Sequence, residues 1–137
     1  MYKLFEKWLN SILVENTFEG VKAFNFNLYE DYDENNTVFM VQLIGAPSYD
    51  SDNSDWACEE IFSTGENLFQ IPNCNDWEVC LQIFEEAIKR FITDGKNANV
   101  LLKSEAVTYG FVDGDLEIAY QAGDKTGDGS KSLKKSE

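Results

Sequence analysis

From Ala23 to Ile88 the chain runs for 66 residues without a Lys, Arg or His, and this stretch holds 14 of the 25 acidic residues. The rest of the chain carries 11 acids and 11 bases, so the formal charge of −14 comes from this one block. The block is nevertheless patterned to fold. It contains Trp56, Trp77 and strand-like runs of Phe, Leu, Val and Ile. Whatever it folds into carries a surface of one sign. Such a surface repels itself, which costs stability, and it draws in basic partners. The charge points to a basic protein partner, not to nucleic acid or a membrane.

A length of 137 residues implies one domain, long enough to bury a core. Aromatic residues at 14% and apolar residues at 43% argue for a globular protein despite the charge. No run approaches the ~20 apolar residues of a membrane span. The N-terminal MYKLFEKWLNSILVEN reads as an amphipathic helix and not as a signal peptide. Cys58, Cys74 and Cys80 are odd in number and follow no export signal. Free thiols in a reducing cytoplasm fit best, with a Cys74–Cys80 bridge as the alternative.

The periodicity predicts a helix over 2–14, with Leu4, Phe5, Trp8, Leu9, Ile12 and Leu13 on one stripe. Gly20 to Tyr29 alternates as a half-buried strand, Phe24, Phe26 and Leu28 facing one way and Asn25, Asn27 and Tyr29 the other. A polar turn over 30–36 and a second strand over 37–44 complete a hairpin with a longer loop. Strands are expected over 56–64 and 67–71. A helix over 75–93 would bury Trp77, Cys80, Leu81, Phe84, Ile88, Phe91 and Ile92, with Asn75 and Glu78 as its capping pair and Gly95 as its stop. A short helical turn is expected over 98–103. Val107 to Tyr120 reads as a hairpin turning at Asp113-Gly114. The order implies an α+β fold: an antiparallel sheet, made of a meander plus a C-terminal hairpin, with helices packed on one face. Residues 1–121 form the domain, and 122–137 read as a flexible tail.

Chemistry is conspicuous by omission. With no His, the Ser-His-Asp and Cys-His catalytic arrangements and the commonest transition-metal ligand are gone. There is no glycine-rich phosphate loop and no CxxC, and no cofactor is implied. Cys58 and Cys80 sit in apolar patterns as small core residues. Asp31-x-Asp33-x-Asn35 and Asp50-x-Asp52-x-Ser54 place oxygens at alternate positions. Both lack the Gly and Glu that an EF-hand loop needs, so no metal site is expected. What remains is an interleaving of aromatics with acids. Tyr29, Asp31, Tyr32, Asp33 and Glu34, and then Tyr49, Asp50, Asp52, Asp55 and Trp56, are the candidate partner-binding residues. Tyr and Trp anchor interfaces, and surrounding acids steer and hold Lys and Arg. Trp56 as a plain core residue, with the tyrosines edging it, is the competing reading.

The segments 24–30 (FNFNLYE), 55–62 (DWACEEIF) and 110–118 (GFVDGDLEI) resemble small bacterial proteins, some similar to the immunity proteins of polymorphic-toxin and contact-dependent inhibition systems. The resemblance implies a cytoplasmic, non-enzymatic inhibitor that caps a basic toxin domain, a nuclease among the candidates. A small adaptor whose acidity serves solubility, and an enzyme using a carboxylate pair or Cys58, are the alternatives.

Overall fold

The apolar spacing of the first helix and the alternation of the strands after it place most large side chains on one side of a sheet. The computed structural model describes residues 1–34 and 36–123, Asp33 by its backbone alone. Helix α1 spans Tyr2–Glu15, and the hairpin strands β1 and β2 span Ala23–Asp33 and Asn36–Ala46. A 3-10 segment, Ser54–Cys58, follows, and then the short strands β3 (Phe62–Ser63) and β4 (Phe69–Ile71). Helices α2 (Trp77–Asp94) and α3 (Ala98–Leu102) lead into β5 (Ala106–Phe111) and β6 (Glu117–Gln121). The fold is α+β, with six strands in the order β3-β2-β1-β5-β6 and β4 also paired to β2. The sheet is mostly antiparallel, but the meander and the C-terminal hairpin join through a parallel pair, β1 with β5.

The helices share a core with one face of this sheet. Phe5, Leu9, Ile12 and Leu13 of α1 and Phe84, Ile88 and Phe91 of α2 are buried with Phe24, Phe26 and Leu28 of β1. Phe5 is the hub. Its ring stands 5.3 Å from Phe84, 5.5 Å from Phe69 and 6.2 Å from each of Phe26 and Phe91. These tilted and edge-on contacts suit the ring quadrupoles and add to the effect of burial. The helix ends are satisfied locally. Asn16 Nδ2 donates to the Ile12 carbonyl at 2.9 Å, and the Gly95 N–H donates to Phe91 O at 2.7 Å.

Several expectations are corrected. The α2 cap is Asp76, whose Oδ1 accepts from the Glu78 N–H at 2.9 Å, and not Asn75. Trp77 is 51% exposed, with its ring edge-on to Phe111 at 6.0 Å. It opens the first turn, where the helix has not yet settled onto the core. Leu4 is likewise exposed, on the rim of the α1 stripe. The first hairpin has no long loop: the strands continue until Asp33 pairs with Asn36, with Glu34 at φ +56° in between. The run 56–64 is no strand beyond Phe62–Ser63, because its first residues coil into the 3-10 segment. The second hairpin keeps its place, but 112–116 form a longer connection, with the Gly114 N–H turned back to Phe111 O at 2.9 Å. The thiols are not all free. Cys74 and Cys80, with Cα atoms 5.7 Å apart, form a disulfide, because the loop before α2 folds back onto its first turn. Cys58 is free and exposed, not a core residue.

Among the described residues no helix is long and apolar enough to cross a membrane. The expected tail lies outside the described residues from position 124 on. At its start, the Ala122 N–H still pairs with Glu105 O at 2.8 Å.

The contrast between Phe84 and Trp77 makes a direct test of the core. Phe84→Ala is expected to cost about 3–5 kcal/mol, the range for deleting a buried aromatic. Trp77→Ala, at a half-exposed helix end, should cost far less. Urea unfolding of the two variants checks the order, and equal losses would contradict this assignment of the helical face.

Candidate functional site

The second face of the sheet is built from small and polar residues. The register aligns Ala23 of β1 with Ala46 of β2 and with Ala106 of β5, and all three are fully buried. Three methyl groups in a row leave room for a large ring, and Trp56 fills it, 6% exposed, with Tyr49 and Leu116 packed alongside. The segment carrying Trp56 is held by its own side chains. Asp50 Oδ1 accepts from the Asp52 N–H at 2.9 Å, and Asn53 Oδ1 accepts from the Asp55 N–H at 3.0 Å. Tyr49 meets Trp56 edge-on at 5.3 Å, and its hydroxyl donates to Gln121 Oε1 on β6.

Two residues further along the strands the same face turns polar. Asn25 and Thr108 are paired in the β1–β5 register and are 1% and 2% exposed. The Thr108 hydroxyl donates to Asn25 Oδ1 at 2.8 Å. Asn25 Nδ2 donates to Asn27 Oδ1 at 2.7 Å, Asn27 Nδ2 to Gln42 Oε1 at 3.3 Å, and Gln42 Nε2 to the Gly65 carbonyl at 3.4 Å. The row runs in one direction across three strands. Buried amides need such partners, since an unpaired one costs the full desolvation of the group.

A cleft lies over this row, between the Trp56 segment and the 112–116 connection. One part, of about 330 Å³, is lined by Tyr49, Asp50, Asp52, Trp56, Thr108, Asp115, Leu116 and Ile118. The other, of about 420 Å³, is lined by Asn25, Asn27, Asp55, Cys58, Glu60 and Phe111 among others. The parts share Ser54 and Leu116. The connection sits close to the sheet because β5 has a glycine beneath it: a Cβ on Gly110 would stand 2.5 Å from the Asp115 carbonyl oxygen. Among the described residues five carboxylates line the cleft, and no Lys or Arg does. Among the described residues the one ion pair is Lys89 with Glu85 at 2.8 Å, on α2. The cleft acids have no basic counterpart among the described residues.

The structure divides the candidate binding residues in two. Tyr49, Asp50, Asp52, Asp55 and Trp56 come together at the cleft. Tyr29, Asp31, Tyr32, Asp33 and Glu34 lie towards the tip of the β1–β2 hairpin, at the opposite end of the strands from Ala46. There Asp31 Oδ1 accepts from the Tyr32 N–H at 2.8 Å, and partial burial together with the Asp31 carboxylate raises the Tyr29 hydroxyl above its usual pKa. Trp56 is buried, as a core residue would be, and also lines the cleft wall. Sequence reasoning missed Asn25, Asn27, Thr108, Glu60 and Asp115. The signal for the first two was present: asparagine is depleted in strands, and Asn-x-Asn inside a Phe-rich strand is out of character for a solvated face. Compared with known proteins, the chain matches no family model, no curated protein and no solved structure.

If the polar row acts as a unit, Asn25→Ala and Thr108→Val will not be additive. Each single change should destabilise by about 1–3 kcal/mol by leaving a buried partner unpaired. The pair should show a coupling above ~0.5 kcal/mol in a double-mutant cycle read by urea unfolding, and additive losses would contradict the row.

Proposed function

We propose that this chain is a non-enzymatic binding module whose acidic second face closes over a basic protein partner, as an immunity-type inhibitor covers its toxin. The observation that supports this reading is the cleft itself. Five carboxylates stand around a concave surface with a buried polar floor and an aromatic wall, and no cationic side chain among the described residues lines it. A solvated acidic face needs neither concavity nor floor. Aromatic side chains at the centre with charges around them is the usual composition of a binding surface. Cys58 lines one part beside amides, apolar groups and the carboxylates Asp55 and Glu60, and no cationic side chain stands among the described residues there to favour a thiolate.

The test uses the partner recovered from the native cell with this chain as bait. Its association should slow strongly between about 50 and 500 mM salt while dissociation changes less, because steering acts over a Debye length that shrinks with salt. Reversal of the cleft acids (Asp50→Lys, Asp52→Lys, Asp55→Lys) should weaken binding without unfolding the protein, since all three are exposed. Reversal at the hairpin tip (Asp31→Lys, Glu34→Lys) should have the smaller effect. An acidic partner, or an association rate untouched by the cleft reversals, would leave the acidity with a role in solubility only.

A further inference from the structure

The smaller part of the cleft differs from the rest of the acidic surface in what it can accept. Its floor is Thr108, which has a single hydroxyl proton. That proton is directed to Asn25 Oδ1 at 2.8 Å, with Phe24 O at 3.4 Å as the weaker acceptor. With its proton engaged there, the Thr108 hydroxyl can only accept from a further partner. The one-way row behind it fixes this arrangement: Asn25, Asn27 and Gln42 each donate onward, ending on the Gly65 carbonyl. Around the floor stand Asp50, Asp52 and Asp115, and Trp56 forms a wall. The cavity is thus lined by three carboxylates, a hydroxyl that can only accept and an aromatic side chain, with no cationic side chain among the described residues that line it.

We propose that this cavity receives one arginine side chain of the partner, its guanidinium among Asp50, Asp52 and Asp115, with Thr108 below and Trp56 alongside. The proposal rests on the reading of the second face as the binding face and names what enters it. A volume of about 330 Å³ holds a side chain but no folded element. A metal ion fits poorly, because among the described residues no three acids converge closely enough to hold one. Spread-out carboxylates suit a spread-out donor. The guanidinium offers five N–H groups in a plane, stacks on aromatic rings and sheds water more readily than an ammonium. Lysine, a compact and strongly hydrated charge, can satisfy fewer of these acceptors at once.

The experiment titrates the intact, isotopically labelled protein with N-acetyl-arginine methylamide and follows amide and indole resonances. The citrulline analogue, which has the same shape without the charge, and the lysine analogue are run in parallel. The arginine probe is expected to move the Trp56 indole and the Thr108 and Asp115 amides in a saturable way, leaving the Trp8 and Trp77 indoles in place. Citrulline should move none of them, and lysine should bind more weakly than arginine. Asp52→Asn and Asp115→Asn, both at exposed positions, should each weaken the arginine probe by up to about fivefold, the value of one exposed ion pair. No saturable shift, equal shifts with citrulline, or shifts spread evenly to the hairpin tip would overturn the proposal. The broader reading fails separately. If the arginine probe is silent but reversal of the cleft acids still weakens the partner, the face binds and the arginine assignment alone is wrong.

Discussion

Strand β1 is covered on both faces, and the two coverings are chemically different. Phe24, Phe26 and Leu28 lie in the helical core, while Ala23 and Asn25 on the opposite face are just as deeply buried. A buried asparagine is tolerated only where its amide is fully paired. Asn25 finds its partners in Asn27, on its own strand, and in Thr108, on β5. The pairing with Thr108 exists because β5 runs parallel to β1 in the register that also sets Ala106 beside Ala23. A slip of one residue would turn both Thr108 and Ala106 to the helical face. The polar row, the alanine platform under Trp56 and the cleft between them thus depend on one strand register.

The charge follows from the same layout. The helical core is so apolar that the acids of the base-free block stay out of it: Asp76, Glu78, Glu85 and Glu86 sit on α2 and its cap, and most of the others stand at the cleft and at the tip of the first hairpin. The latter two groups are electrostatically separate. From Asn27, at the cleft floor, to Asp33 is six residues of strand, about 20 Å. The Debye length at physiological salt is about 8 Å. A partner seated over the cleft would barely feel the tip except during approach. The cleft acids act within a concave surface and close to Trp56, where nearby apolar groups lower the local dielectric and strengthen attraction to a cation. Of the two groups, this one is better placed to hold what it attracts.

Much of the scaffold was legible in the sequence because it is written in local periodicity. The Phe5-Leu9-Ile12 spacing, the Phe24-Phe26-Leu28 alternation and the Phe84-Ile88-Phe91 spacing each report a buried face, and each is buried. The misreadings have a common cause, which is that tertiary contacts override local pattern. Trp77 has the right spacing but sits where α2 begins, half exposed, with its ring edge-on to Phe111. The run from Trp56 has strand composition, yet Trp56 is drawn to the alanine platform and the chain coils to place it. The Cys74–Cys80 bridge depends on a loop reversal that spacing alone leaves undecided. The cleft was the least legible feature. Its floor joins Asn25 to Thr108, 83 positions away, and no pattern within a single element announces that contact. Aromatic and acidic clustering pointed to Asp50, Asp52, Asp55 and Trp56, but could not separate them from the equally acidic hairpin tip.

The proposed binding face is tested most directly by where protection falls when a captured partner binds. Hydrogen–deuterium exchange of the protein, alone and in complex with the partner captured from its native cell, reads this by segment. If the cleft is the binding face, new protection falls over 48–60 and 111–118, the two walls of the cleft, with little change over α1, α2 and the 29–34 end of β1. Protection concentrated at the hairpin tip or on the helices, with the cleft walls unchanged, would contradict it.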